Sequence, residues 1–187
     1  MNNLLKYIHS LTEFSHESWE ILLPLLIKKE YKKGDHLLEE GSVCNSLFYI
    51  DTGYCRSYHI INGKEKNTAF YFENDIATNI NSFGKGEKSA YAIKACEPLT
   101  AIIFDKNKLM EASQKAPEIE ALGRNCIRLF STKQQEFANL FQLYSAKERL
   151  LYIEKNHPEI LQRVSLTQLS SFLGVARETL SRIRKNR

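Results

Sequence analysis

Apolar residues recur along this chain with two different periods, and the period changes twice. Over residues 1–28 the spacing is helical, with Trp19, Leu22, Leu23 and Leu26 on one face, Ser15 placed as N-cap and Pro24 placed to kink or divide the helix. From about Glu30 the texture becomes short runs of Tyr, Phe, Ile and Val between turn signals at Lys33-Gly34-Asp35, Glu40-Gly41-Ser42, Thr52-Gly53 and Asn62-Gly63. Asn-Gly marks a hairpin, because a type I′ turn needs positive φ at both central residues. Strands at this spacing predict an antiparallel sandwich, barrel or jelly roll, the last strand covering Leu99 to Phe104. Asp105 then caps a return to helix.

Beyond Pro117 a helical pattern runs from about Glu118 to Leu143, carrying Ile119, Leu122, Cys126, Leu129 or Phe130, Phe137, Leu140, Phe141 and Tyr144 on a near-heptad repeat. Such a helix is roughly 39 Å long at 1.5 Å per residue. A β-roll of this size cannot cover the whole stripe, so part of it is expected to meet a second copy through a coiled-coil-like seam. A helix that only bridges two domains of one monomer is the alternative. Ser145-Ala146-Lys147-Glu148 fits a capping box, so a further helix starts there with Leu150, Leu151 and Ile153 on its apolar face and ends at His157-Pro158. The hinge between domains falls near Leu143 to Ser145. The domains are therefore 1–116, a roll with flanking helices; 117–144, a long linker and dimerisation helix; and 145–187, a terminal helical domain.

The last stretch, SLTQLSSFLGVARETLSRIRKNR, reads as two short helices around a glycine turn. Leu166, Leu169, Phe172 and Leu173 share one helical face, and Gly174 stands where a left-handed residue ends a helix. Val175, Leu180 and Ile183 pack the second helix back, which leaves Arg177, Glu178, Ser181, Arg182 and Lys185 facing outward. This is the layout of a helix-turn-helix with a recognition helix over 176–185. An amphipathic basic helix that merely ends a domain has the same spacing. Charge separates the two readings: residues 145–187 hold nine Lys and Arg against four Asp and Glu, whereas the rest holds 17 against 18. The positive balance sits wholly in the terminal segment, as phosphate binding requires.

Composition narrows the classes. With 43% hydrophobic residues the chain can build ordinary cores, and its longest apolar run, Ile21 to Ile27, is broken by Pro24 and too short to span a bilayer. The N-terminal residues lack a signal-peptide pattern, so the expected setting is the cytoplasm, without membrane. Cys44, Cys55, Cys96 and Cys126 include no CxxC pair, and His9, His16, His36, His59 and His157 form no HxH or HExxH pattern. Neither a zinc site nor an iron–sulfur cluster is expected, and no catalytic constellation stands out.

Roll, long helix and helix-turn-helix, in that order, resemble the Crp/Fnr family of bacterial transcription regulators. The segment KKGDHLLEEGSVCNSLFYIDTGYCRSY is similar to the family's cyclic-nucleotide-binding-type roll, and VSLTQLSSFLGVARETLSRIRK to its DNA-binding signature. The run RLLYIEKNHP and the compact ending look like the branch found in Bacteroidetes-type bacteria. The resemblance implies an α+β protein: an antiparallel β jelly roll, a long dimerisation helix and a winged-type helix-turn-helix. It implies double-stranded DNA as partner, a homodimer, RNA polymerase as a further partner if the protein activates, and no enzymatic activity.

By that resemblance Arg177, Glu178 and Arg182 read bases, with Ser181 beside them. The chemistry agrees, since Arg pairs bidentately with guanine and Glu accepts from cytosine N4. Thr167 and Gln168 would hold phosphate at the first helix's start, and Lys185 and Arg187 would make nonspecific phosphate contacts.

Relatives that bind cyclic AMP use Gly-Glu-Leu, a loop, and Arg-Ser/Thr-Ala. In DIATNINSFGKGEKSAYAIKA, Thr78 stands near the Gly, Asn79 near the Glu and Lys88 at the Arg, while Ser89 and Ala90 complete the cassette. Asn lacks the anionic acceptor and Lys lacks the bidentate fork, so cyclic AMP is not the expected effector. A different small-molecule effector, or none, stays open, and no cofactor is required. A cupin-type metal-binding protein and a stand-alone effector-sensing or scaffold module are the remaining alternatives.

Overall fold

Asn2–Leu11 form α1 and His16–Leu22 form α2, in a computed structural model that describes residues 1–185. The Ser15 hydroxyl accepts from the Ser18 N–H at 3.2 Å, so the expected cap is in place. Leu23–Leu25 tighten into a 3₁₀ turn at Pro24. The helix is therefore divided, and Leu26 lies in extended backbone rather than on the helical face expected of it.

The roll begins three residues earlier than Glu30. Its strands are β1 (Ile27–Tyr31), β2 (His36–Leu38), β3 (Ser46–Thr52), β4 (Cys55–Ile61), β5 (Lys64–Tyr71), β6 (Ile76–Ala77), β7 (Ala92–Ala95) and β8 (Leu99–Asp105). They form two four-stranded sheets, ordered β1-β8-β3-β6 and β2-β7-β4-β5. Pairing is antiparallel, with Ile27 opposite Ile103 and Phe48 opposite both Ile103 and Ala77.

Strands β3 and β8 are buried on both faces, which explains their unbroken apolar runs. Phe48 and Ile50 point between the sheets with Leu38, Cys55, Ile93 and Ala101. Leu47 and Tyr49 point the other way, with Ile102 and Phe104, into a second core. That core is closed by Leu4, Ile8 and Leu22 of the N-terminal helices, Ala112 of α4 (Lys106–Lys115), and Ile119 and Leu122 of α5 (Pro117–Leu143). The Asp105 carboxylate accepts from the Asn107 and Lys108 N–H groups and so starts α4. At the β3–β4 turn a Cβ on Gly53 would stand 2.4 Å from the Pro98 carbonyl, and φ is +81°, so only glycine fits. Asn62 and Gly63, at φ 52° and 73°, make the expected hairpin turn.

The chain forms two compact units, one of Met1–Ser57 with Phe70–Leu129, the other of Tyr58–Ala69 with residues 130 onward. In the first, Ser15 donates from both N–H and Oγ to Glu118 at 2.7 Å, and Asn125 donates to the Leu11 carbonyl. In the second, α5 from Phe130 is joined by α6 (Ala146–Asn156), α7 (Pro158–Arg163), α8 (Leu166–Leu173) and α9 (Arg177–Lys185). Its core is Leu140, Leu150, Ile153, Ile160, Val164, Leu169, Phe172, Leu173 and Leu180. Both halves of the expected capping box at Ser145 and Glu148 are formed.

Much of the α5 apolar stripe is consumed within the chain. Ile119 and Leu122 are buried in the first unit and Leu140 in the second, Phe137 and Phe141 are half-buried, and Tyr144 is exposed; beside the stripe, Ile127 and Leu143 are exposed at 53% and 71%. Among the described residues no strand follows β8, so the strand pair of a winged-type domain is not among them.

Candidate nucleic-acid interface

The two helices after Ser165 are held by local chemistry readable residue by residue. The Ser165 hydroxyl accepts from the Gln168 N–H and caps α8. Gly174 takes φ +72°, and the Val175 N–H donates back to the Ser170 carbonyl at 3.0 Å, the closing bond of a Schellman turn. The chain then re-enters helix at once as α9.

Leu180 of α9 is buried, with Val175 and Ile183 half-buried beside it. Arg177, Glu178, Arg182 and Lys185 are exposed and Ser181 is half-buried, so the structure gathers them on one outward surface. Thr167 is exposed and Gln168 half-buried in the first turn of α8. Arg184, also exposed, joins this surface; its i+7 spacing from Arg177 is the sequence signal that marks it. The phosphate contact expected of Arg187 lies outside the described residues. The surface of α9 thus carries four cations against Glu178 alone, suited to a polyanion whose base edges are also to be read.

Behind this surface the C-terminal part of α5 acts as a ledge. Phe172 of α8 meets Phe137 and Phe141 edge-on, with centroids 5.9 and 5.3 Å away. His157 stacks on Phe137 at 5.4 Å, with Glu136 at 3.8 Å from Nε2 and Glu159 at 3.6 Å from Nδ1. The Tyr152 hydroxyl donates to Glu136, and this bond, with some burial and the carboxylate charge, pushes the phenol up to about 12. Arg149 donates to the Phe141 carbonyl at 2.7 Å and to the Leu173 carbonyl at 3.1 Å.

The outer part of the β4–β5 hairpin joins the same unit. Asn67 donates from its N–H to Ser171 Oγ at 3.1 Å and from Nδ2 to the Gln168 carbonyl at 3.0 Å, and Ser171 Oγ donates to the Glu65 carbonyl. Lys64 and Lys66 line a shallow groove with Ser170, Ser171 and Gly174. Sequence reasoning missed this contact, because strand residues a hundred positions away leave no periodic trace in the helix they touch.

The cassette of the first unit is placed differently from its sequence reading. Thr78, Asn79 and Ser89 come together and are buried, while Lys88 and Ala90 stay on the surface. Asn79 Oδ1 accepts from the Ser82 N–H as N-cap of α3 (Ile80–Lys85), and Nδ2 donates to Ser89 Oγ at 2.8 Å. Ser89 Oγ donates in turn to the Tyr91 carbonyl at 2.6 Å, and the Tyr91 hydroxyl donates to the Thr78 carbonyl at 3.1 Å. The polar atoms that would greet a nucleotide are engaged with one another.

Among the described residues no group of three or more His, Cys, Asp or Glu is placed to hold a metal ion, and no helix is long and apolar enough to cross a membrane. Cys44 and Cys55 are buried thiols, and burial pushes Cys126 up to about 11.

Comparison with known proteins places these features. Residues 28–116 match the cyclic nucleotide-binding domain. The fumarate and nitrate reduction regulatory protein of Escherichia coli strain K12 is 26% identical over 171 residues, covering 83% of this chain and 66% of its own length. The chain therefore spans just under two thirds of that relative. Among solved structures, the catabolite activator protein of Thermus thermophilus superposes with a TM-score of 0.60 at 16% identity, covering 94% of this chain and 84% of that one. FixK2 of Bradyrhizobium japonicum gives 0.66 at 19% identity, covering 86% and 83%. At these identities the superpositions establish the fold.

Proposed function

We propose that this chain is a regulator of the Crp/Fnr type, a sequence-specific DNA-binding transcription regulator that acts as a homodimer in the cytoplasm; the matched cyclic nucleotide-binding domain and the resemblance to the fumarate and nitrate reduction regulatory protein support the reading. The observation that carries the reading is the outward surface of α9. Arg177, Glu178 and Arg182 stand exposed on a short helix whose opposite face is anchored by buried Leu180. In this reading they contact base edges in the major groove, and Thr167, Gln168, Lys185 and Arg184 hold phosphates. The protein binds rather than catalyses, and a promoter geometry that favours activation brings RNA polymerase in as a partner.

Two copies related by a two-fold axis along α5 place their recognition helices in successive major grooves. The half-sites then form a near-palindrome with centres about one helical turn, roughly 34 Å, apart. Exposed Ile127 on α5 is the apolar anchor offered to the second copy. Cyclic AMP is not the effector in this reading, because Asn79 is committed to Ser82 and Ser89 and Lys88 stands in the place of a forked guanidinium.

Selection of duplexes from a random pool tests the reading. The expected result is a two-fold symmetric consensus, together with light scattering at twice the 21.6 kDa chain mass. Retention of random sequence by a monomer would overturn it.

A further inference from the structure

We propose that Arg149 is the positioning residue that references the recognition helix to α5, and so sets the half-site spacing the protein accepts. The inference rests on the DNA-reading function above and deepens it.

The last carbonyls of a helix have no partner within the helix. Phe141 lies in the last turn of α5, two residues before its end at Leu143, and Leu173 is the final residue of α8. Arg149, in the first turn of α6, satisfies one from each: Nη2 donates to the Phe141 carbonyl at 2.7 Å and Nη1 to the Leu173 carbonyl at 3.1 Å. The guanidinium also lies 5.0 Å over the Phe141 ring. Its Nε is buried without a hydrogen-bond partner, so the group is held by the two carbonyls and the ring rather than by a carboxylate. Among the described residues no ion pair of Arg149 competes with this bracket.

The position of Leu173 matters. It is the residue before the Gly174 turn, and α9 follows three residues later. A planar fork that fixes the end of α8 against the end of α5 therefore fixes the root of α9. Lysine cannot replace it, because a single ammonium does not span two carbonyls in one plane and does not stack on a ring in the same way. If α5 is the seam between two copies, the bracket in each copy transmits the seam's geometry to the separation of the two recognition helices.

The test uses the full chain and the duplex recovered by selection, with the half-sites moved one base pair closer or further apart. Wild-type protein is expected to prefer one spacing by at least about tenfold. Arg149→Gln is expected to reduce that preference to about twofold, with binding to a random duplex and its salt dependence unchanged. Arg149→Lys is expected to fall closer to the glutamine variant than to wild type, although it keeps the charge. A wild-type spacing preference in either variant overturns the proposal, whatever happens to the melting temperature, since lost stability alone lowers affinity for every spacing alike. If the glutamine variant does not fold by circular dichroism, the lysine variant decides on the same criterion. Wild-type protein that selects no sequence at all overturns the DNA-reading function and this proposal with it, a result distinct from the other two.

Discussion

The ring of Phe172 meets that of Phe141 edge-on, with planes at 90° and centroids 5.3 Å apart. The contact joins α8 to the end of α5, and Phe172 is almost fully buried. Removing it opens a cavity at the point where α8 rests on α5. Phe172→Ala is expected to cost about 3–5 kcal/mol of stability in the second unit, and Phe172→Leu markedly less. Urea denaturation followed by far-ultraviolet circular dichroism measures both. A loss below about 1 kcal/mol for the alanine variant would mean that another contact holds the pair.

Base reading and phosphate holding separate by their salt dependence. Arg182→Ala is expected to lower affinity for the selected site by about 1–3 kcal/mol while random-duplex binding changes little. Lys185→Ala is expected to weaken both, and to reduce the slope of log K against log salt by about one. Anisotropy titrations at several salt concentrations distinguish the two. Equal losses on specific and random DNA for Arg182→Ala would remove it from the base-reading set.

Alkaline titration reports on the packing of α6. The Tyr152 phenol, ordinarily at 10.0, is pushed up to about 12 first by its hydrogen bond to Glu136, then by partial burial and the carboxylate charge. A folded-state value above the unfolded one favours the protonated phenol in the native protein. Its stabilisation is fully present below the ordinary value and is lost as pH rises from about 10 to about 12. Tyr31, Tyr49 and Tyr91 are raised to about 12 by burial first and act in the same direction. Tyrosinate absorbance of the native chain is expected to lag that of the urea-unfolded chain, and Tyr152→Phe to flatten the alkaline fall in stability. Coincident titration curves would contradict the Tyr152–Glu136 bond.

Cyclic AMP provides a ligand test. A ligand that binds only the folded state at one hundred times its Kd adds about 2.7 kcal/mol of stability. With Asn79 and Ser89 bonded to each other, cyclic AMP at millimolar concentration is expected to leave the melting temperature unchanged. A rise of several degrees would show that the cassette opens, and would restore the nucleotide as effector.

The parts legible in the sequence are those whose causes are local. Ser15, Asp105 and Ser145 cap the helices they precede, Asn62-Gly63 turns a hairpin, and Gly174 ends α8, because each acts within a few residues of itself. The α9 surface was readable for the same reason, as a face is a matter of spacing. Short α3 and α7 leave no such local signal: in the sequence Asn79 has the spacing of a ligand position rather than a cap, and Pro158 that of an ending rather than the first residue of a new helix. Tertiary contacts were the least legible. The apolar stripe of α5 predicts burial but not by what, so a seam with another chain and the intramolecular ledge for Phe172 looked alike. Arg149 and Asn67 gave no sign at all, since their partners are backbone carbonyls and a hydroxyl that any sequence could offer.

Genomic mapping of bound sites tests, in the organism itself, whether α9 reads a two-fold DNA site. Wild-type protein is expected to yield peaks sharing a near-palindromic motif with half-site centres about one helical turn apart, and an Arg177→Ala, Arg182→Ala double variant to lose those peaks while keeping diffuse background. Peaks without a shared motif, or a motif retained by the double variant, would contradict it.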